Sequence, residues 1–306
     1  MYYTAIRNAY RLKHLVRGVR VLNSERQLRD YFSRVEEKLA ENPDFDFLSQ
    51  CNVYYQPSKL NPVDPQSDKY LDEQKRLYEF ISERSWGAFE EVAQDSGGQI
   101  ESWRQLYPFS TRSAAISGQQ LMTNGFWLKC VDIQKNSKII EFGSGCGDMA
   151  LYLSALGHDV LATDISLTYI NLIKQKAAIQ NLPLRTQVAA MDKFSTNEKF
   201  DMAFFCEAFH HSADHVGTLR MLSSIIKPGG KVYLFGEPIT QFPYPWGLRT
   251  DGESLWMAKK HGWLELGFDK RYFRALAEAN GWHMTSERNK HVSHGSYAIC
   301  LTRKIE

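Results

Sequence analysis

The pattern of apolar and polar positions changes character near residue 112. Before it, helical spacing dominates. In the first 22 residues Ala5, Ala9, Leu12, Val16 and Val19 recur at helical intervals, while Arg7, Arg11 and His14 fall on another face. Ser24 followed by Gln27 forms a capping-box pattern, which predicts a second helix running to about Asn42, before Pro43. Residues 43–66 carry Pro43, Pro57, Pro62 and Pro65 and read as loop. Periodicity returns from Asp68 to about Gln94 and stops at Ser96-Gly97-Gly98; Thr111 is then placed to cap a helix over 112–131.

From Lys138 onward short apolar runs alternate with helical stretches. Strands are predicted at Lys138–Phe142, Asp159–Thr163, Arg185–Ala190, Phe200–Cys206 and Lys231–Gly236, with helices at Asp148–Leu156, Leu167–Gln180 and Asp214–Ile226 between them. Such alternation implies an α/β fold with a mostly parallel sheet covered on both faces. Residues 237–268, rich in proline, glycine and tryptophan, interrupt it. A last helix over Lys270–Asn280, capped by Asp269 and ended by Gly281, precedes two closing strands near Trp282–Glu287 and Ser296–Thr302. The expected organisation is a helical N-terminal region (1–111) and an α/β domain (112–306) carrying an insertion at 237–268.

Composition narrows the class. The 306 residues hold 37 Lys+Arg against 35 Asp+Glu, a formal charge of +2, so no global basicity points to nucleic acid. With a mean hydropathy of −0.41, the chain has no run approaching the roughly 18 apolar residues of a membrane span. Arg7, Arg11 and Lys13 come too early for a secretory signal, and the five cysteines form no CxxC pair, which suits a reducing cytoplasm. The first 22 residues hold five Lys/Arg and no acid. Two readings of them stand: an interfacial helix resting on an anionic membrane or an assembly machine, and a helix packed on its own domain or on a second copy in a homo-oligomer.

The chemistry concentrates in KIIEFGSGCGDMA, residues 138–150. A buried strand ends at Glu141, and Gly143, Gly145 and Gly147 turn the backbone tightly into a helix, leaving the main chain open to a ligand. A nicotinamide-binding loop would need glycine or alanine where this chain has Asp148. Glu141 would repel a pyrophosphate but could meet an ammonium group, such as the one on the methionine half of S-adenosylmethionine. Asp164, with Ile165 beside it, closes the second strand 23 residues later, where an acid can accept both ribose hydroxyls. After the third strand, Met191 can pack on adenine and Asp192 can accept from its exocyclic amine.

Together with FDMAFFCEAFHH at 200–211 and KPGG at 227–230, these motifs resemble the class I S-adenosylmethionine-dependent methyltransferases over about residues 112–302. The resemblance implies a Rossmann-like seven-stranded sheet with the last strand antiparallel and the cofactor at the strands' carboxyl ends. It also implies that His210 and His211 face the methyl group and its acceptor. Sugar and natural-product O-methyltransferases resemble this stretch, with a histidine here as general base, a role that typically contributes about 10²–10⁴-fold. Glu207 could orient that histidine or take a substrate hydroxyl; a cap or a solvated acid is the alternative. Asp214 reads as a helix cap and His215 as a helix-surface residue. His210, Asp214 and Glu237 show no dedicated metal motif.

The insertion, with Trp246, Trp256, Trp263, Arg249, Asp251, Glu253 and His261, could line an acceptor pocket for a sugar ring, or supply core for a lid or dimer face. Its segment 252–268 resembles methyltransferases of bacterial surface-polysaccharide assembly. The leading expectation is therefore O-methylation of a sugar or glycoconjugate hydroxyl. A lipid, quinone or other small metabolite is the alternative acceptor, and an adaptor that has lost catalysis is the alternative of another class.

Overall fold

Residues alternating in and out of a strand can line two core layers at once, as the run Phe200–Cys206 requires. In a computed structural model of the chain, residues 2–41, 52–57, 64–90, 113–291 and 295–305 are described. Along the chain come α1 (Tyr2–Val16), β1 (Arg20–Leu22), α2 (Glu25–Glu41), β2 (Val53–Tyr55), α3 (Asp68–Ser82), α4 (Ala114–Cys130), β3 (Lys138–Phe142), α5 (Asp148–Ala155), β4 (Asp159–Asp164), α6 (Leu167–Ile179) and β5 (Arg185–Val188). There follow β6 (Phe200–Cys206), α7 (His215–Ile225), β7 (Ile226–Phe235), β8 (Ile239–Thr240), β9 (Trp246–Leu248), α8 (Gly252–Trp256), β10 (Leu266–Asp269), α9 (Lys270–Ala279), β11 (Trp282–Arg288) and β12 (Tyr297–Arg303).

The chain divides into two compact units, Glu90–Glu237 with Arg274–Glu306, and Met1–Phe89 with Pro238–Phe273. The first unit holds a seven-stranded sheet in the order β11-β12-β7-β6-β3-β4-β5. Only β12, the last strand of the chain, runs against the parallel majority, since it pairs antiparallel with both β7 and β11. On one face Met202 and Phe204 of β6 join Ile139, Tyr233 and Phe235, and Trp127 of α4 stacks on Phe235 with ring centroids 5.5 Å apart. On the other, Phe205 stacks on Phe142 at 5.1 Å and meets Phe209 edge-on. KPGG forms a bulge inside β7, where pairing with β6 jumps between Phe200 and Met202.

The second unit has two small sheets, a parallel pair β1-β2 and the trio β8-β10-β9. Two of its tryptophans are interior, while Trp86 and Trp263 are half-buried. Trp246 and Trp256 are buried, and Trp246 Nε1 donates to Pro65 O at 2.7 Å while its ring meets Tyr70 edge-on. The stretch expected as an insertion thus shares a core with the N-terminal residues from Pro238 onward.

Local signals held where they were short-range. Gln27 N–H donates to Ser24 Oγ at 3.3 Å, and the Gln27 side chain accepts from Asn23 N–H at 2.6 Å, completing the box that starts α2. Asp214 caps α7 by accepting from Gly217 N–H at 2.8 Å. Other expectations are corrected. The 43–66 segment contains β2, a three-residue strand that exists because β1 pairs with it. Helix α1 buries Ile6 and turns Tyr10 and His14 toward Tyr54, with His14 and Tyr54 stacked at 4.7 Å, whereas Ala9, Leu12 and Val16 of the expected apolar stripe are exposed. Ser113 caps α4, and Thr111 lies outside the described residues. Helix α3 ends at Ser82, where Glu83 adopts a left-handed backbone; residues 91–94 of the longer helix expected there lie outside the described residues. No helix among the described residues is long and apolar enough to cross a membrane.

Candidate active site

The carboxyl ends of β3, β4, β6 and β7 bring together most of the residues singled out from the sequence, all within the sheet unit. The turn after β3 is shaped by close approach. A Cβ on Gly143 would stand 2.7 Å from that of Ala208, beyond the end of β6, and Gly143 has a positive φ of 62°. Gly147, at the N-cap of α5 with φ 79°, would drive a Cβ to 2.6 Å from Ile173. Glycine is therefore required at both places on steric and on conformational grounds. A Cβ on Gly145 would meet nothing within 4 Å, so the turn faces open space there.

Asp164 ties this turn to the next strand. Its Oδ2 accepts from Gly145 N–H at 2.9 Å and its Oδ1 from Ser166 N–H at 2.8 Å, and burial pushes its carboxyl above the usual range. Ile165 N–H is a further donor toward it. Glu141 lies deeper. It is 2% exposed, accepts from Ala150 N–H at 3.1 Å and has the Cys206 thiol beside it. Burial without a cation pushes its carboxyl up to about 8, against the smaller downward pull of those hydrogen bonds.

Met191 and Asp192 form a short 3₁₀ turn after β5. The Met191 methyl lies 3.8 Å from where a Cβ on Gly143 would stand. Asp192 Oδ1 accepts from Ser212 Oγ (2.7 Å) and Thr218 Oγ1 (3.3 Å), and Oδ2 accepts from Asp214 N–H (3.2 Å). Asp192 thereby fixes the approach to α7 as well as standing at the strand edge.

Beyond β6 the structure differs from expectation in one partner. His210, 6% exposed, is held through Nδ1 by Glu237 Oε2 at 2.8 Å. Glu237, 2% exposed at the end of β7, also accepts from Ala208 and Phe209 N–H (both 2.8 Å) at Oε1 and from His210 N–H (3.0 Å) at Oε2. Burial pushes its carboxyl up to about 7 in spite of these donors. Glu207, one candidate for orienting the histidine or taking a substrate hydroxyl, has a left-handed backbone (φ 54°) with its side chain laid over Gly236. His211 lies beside His210, ring centroids 4.1 Å apart. His215, expected on the surface, is buried, and burial lowers its imidazole to about 4.

Sequence reasoning weighed Glu237 only as a metal-ligand option. The signal available for more was an acid directly after an apolar strand, the pattern already valued at Glu141 and Asp164. The donor set of the edge is acidic: Lys176, from α6, is spent on Cys146 O at 2.8 Å and on Asp148 at 3.7 Å. Such an edge fits a ligand bringing its own positive charge and hydroxyl donors, and does not fit a pyrophosphate.

Comparison with known proteins identifies a domain within the sheet unit. Residues 140–234 match the family model described as a methyltransferase domain. The chain carries a class I S-adenosylmethionine-dependent methyltransferase domain. The chain is 25% identical over 128 residues to 27-O-demethylrifamycin SV methyltransferase from Amycolatopsis mediterranei, covering 40% of this chain and 46% of that protein. It is 26% identical over 163 residues to a ubiquinone biosynthesis O-methyltransferase from Colwellia psychrerythraea, covering 50% and 63%. The chain thus spans between 46% and 63% of the length of these curated relatives, less than two thirds of either. Among solved structures, magnesium protoporphyrin IX methyltransferase from Synechocystis, crystallised with bound S-adenosylhomocysteine, superposes with TM-score 0.52 at 16% identity over 70% of this chain and 99% of that one. The methyltransferase partner in a Haloferax volcanii complex with the activator Trm112 gives TM-score 0.54 at 14% identity over 70% and 98%. These two likenesses concern the fold.

Proposed function

We propose that the protein is an S-adenosylmethionine-dependent O-methyltransferase acting on a hydroxyl group of a small metabolite. The observation that carries the oxygen acceptor is the buried His210–Glu237 pair at the end of β6 and β7. A carboxylate on Nδ1 holds the proton there, so Nε2 carries the lone pair that can accept a proton from a hydroxyl. The relatives named above as methyltransferases of rifamycin and ubiquinone biosynthesis support an oxygen acceptor on a small molecule.

For the cofactor, Gly143, Gly145 and Gly147 give the close-approach turn, Asp164 with Ile165 stands where ribose hydroxyls would be held, and Met191 with Asp192 lines the adenine side. Glu141 is assigned to the ammonium end. Because burial keeps much of it protonated at neutral pH, an ammonium ligand would expel that proton on binding. When bound, S-adenosylmethionine supplies a methyl group on a positively charged sulfur. The chain's own part is to exclude water, align the acceptor and take its proton at His210 Nε2. Glu237 then stabilises the resulting imidazolium. His211 stands close enough to shape the acceptor's approach.

The observed core changes the substrate expectation. Trp246 and Trp256 are interior, and Arg249 is engaged with Asp251 and Glu265, so these groups serve the core of their own unit instead of a sugar ring. Nothing now favours a sugar over a phenol, enol or polyketide hydroxyl. The test is transfer of a labelled methyl from S-adenosylmethionine to a panel of hydroxylated acceptors, with calorimetry of S-adenosylhomocysteine in buffers of different ionisation enthalpy. Methyl transfer to oxygen and proton release on binding are expected. Absence of binding would refute the cofactor assignment, and transfer only to nitrogen, carbon or sulfur would refute the acceptor.

A further inference from the structure

The sheet unit's site leaves unexplained why the N-terminal unit gathers positive charge. Its first 38 residues hold nine Lys/Arg and four Asp/Glu, although the whole chain is nearly neutral. Part of that charge converges on a cleft of about 280 Å³ between α2 and the β1-β2 pair, lined by Arg20, Arg34, Lys38, Asn52 and Tyr31, with Val35 and Val53 as apolar wall. No acid lines it. Arg34 and Lys38 are one helical turn apart, an arrangement of like charges that costs about 0.2–0.5 kcal/mol in an isolated helix. Packing does not account for it, because Arg34, Lys38 and Arg20 are exposed around a floor of buried Tyr31, Val35 and Val53.

The Arg34 guanidinium is prearranged and the Arg20 backbone is fixed, and neither guanidinium has a carboxylate partner among the described residues. Arg34 Nε donates to Asp30 O at 3.0 Å, which anchors the fork and leaves its terminal nitrogens as donors. Arg20 N–H donates to Asn52 O at 3.0 Å, and the parallel register sets Arg20 opposite Val53 at the start of the pair. Asn52 Nδ2 donates to Gly18 O at 3.1 Å, which fixes the amide at the rim. Two other arginines of the same unit do have acid partners: Arg29 reaches Glu83, and Arg249 reaches Asp251 and Glu265.

We propose that this cleft is a binding site for a phosphate or pyrophosphate group, held by the forks of Arg20 and Arg34 with Lys38 and Asn52 at the rim. Paired guanidinium forks match tetrahedral oxyanions in geometry as well as charge. The cleft is slightly smaller than the roughly 300–1,000 Å³ of a pocket that encloses a drug-sized ligand. It therefore suits the charged head of a ligand whose remainder lies outside. Two sources share that chemistry: a soluble phosphorylated metabolite, and the headgroup of an anionic phospholipid or lipid-linked pyrophosphate.

The experiment is calorimetric titration of the full chain with inorganic pyrophosphate at low salt, repeated on Arg20→Gln, Arg34→Gln, Arg34→Lys and Arg26→Gln. Arg26, an exposed arginine of the same helix outside the cleft, controls for net charge. Saturable binding is expected, weakened at least tenfold in the Arg20 and Arg34 glutamine variants, less in Arg34→Lys, and less than twofold in Arg26→Gln. No saturable binding, or equal weakening in Arg26→Gln, would overturn the proposal. Should Arg34→Gln lose its near-ultraviolet circular dichroism, Arg34→Lys and Arg20→Gln carry the comparison. Flotation with phosphatidylcholine vesicles, with and without phosphatidate, separates the sources. Retention that pyrophosphate competes away assigns a lipid headgroup, and saturable pyrophosphate binding without retention assigns a soluble ligand.

Discussion

Asp251 in the N-terminal unit, half-buried, and Glu237 at the end of β7, fully buried, are both partly or wholly shielded from water, yet their carboxyls move in opposite directions. Asp251 has Arg249 Nε at 3.1 Å, and that cation holds it below the usual range against the upward push of burial. Glu237 has backbone N–H donors, His210 and the nearby His211 but no Lys or Arg among the described residues, and burial pushes it up to about 7; Glu141, likewise without a Lys or Arg there, is pushed up to about 8. The lesson is that burial alone does not mark function. An acid with its own arginine is a finished structural element, while a buried one without a cation keeps proton-binding free energy that a ligand or a reaction step can use.

The comparison breaks most visibly at Glu237. Glu237→Gln keeps an acceptor for Ala208 and Phe209 N–H but no longer fixes the His210 proton on Nδ1. Methyl transfer should fall by about 10²–10⁴-fold, with S-adenosylhomocysteine affinity little changed. The acid limb of the rate–pH profile should move to lower pH, since the imidazolium loses its neighbouring carboxylate. A uniform loss with an unmoved profile would reduce Glu237 to a scaffold role.

Glu141 sharpens the contrast through stability. Its folded-state value of about 8 lies above that of an unfolded glutamate, so the folded chain binds the extra proton between about pH 4.5 and 8. The associated stability is fully present below pH 4.5 and is lost as pH rises through 8, by a few kcal/mol at most. In Glu141→Gln that part of the pH dependence should vanish, so denaturant unfolding at pH 5 and pH 8.5 should show the variant gaining on the parent at the higher pH. Asp251 should respond differently. Arg249→Met leaves Asp251 and buried Glu265 without their cation and should cost about 2 kcal/mol. This is below the roughly 3–5 kcal/mol of a fully buried pair because the Arg249 side chain is 26% exposed. Chemical denaturation at pH 7 measures it.

What the sequence disclosed follows the range of the interactions. Strands β3 and β6 were legible to the residue, because an apolar run bounded by a glycine turn or a polar edge is a local signal. The caps at Ser24 and Asp214 were legible for the same reason. The acids closing β3 and β4 could be located, but not the degree of burial that keeps Glu141 protonated. Strands β1 and β2 were missed because three residues become a strand only when a partner 33 positions away, Val53 for Arg20, lies alongside. The buried face of α1 was misassigned because Tyr54 selected Tyr10 and His14 over the aliphatic stripe. Glu237 escaped as the partner of His210 because the contact joins residues 27 apart across two strand ends.

The central claim is that His210, poised by Glu237, takes the acceptor's proton at a methyltransferase edge. Its most direct test is a labelled-methyl transfer assay on His210→Gln, run beside calorimetry with S-adenosylhomocysteine. The account predicts that O-methyl product falls by at least about 10²-fold while the dissociation constant stays within about twofold. Unchanged turnover, or turnover and cofactor affinity lost together, would contradict it.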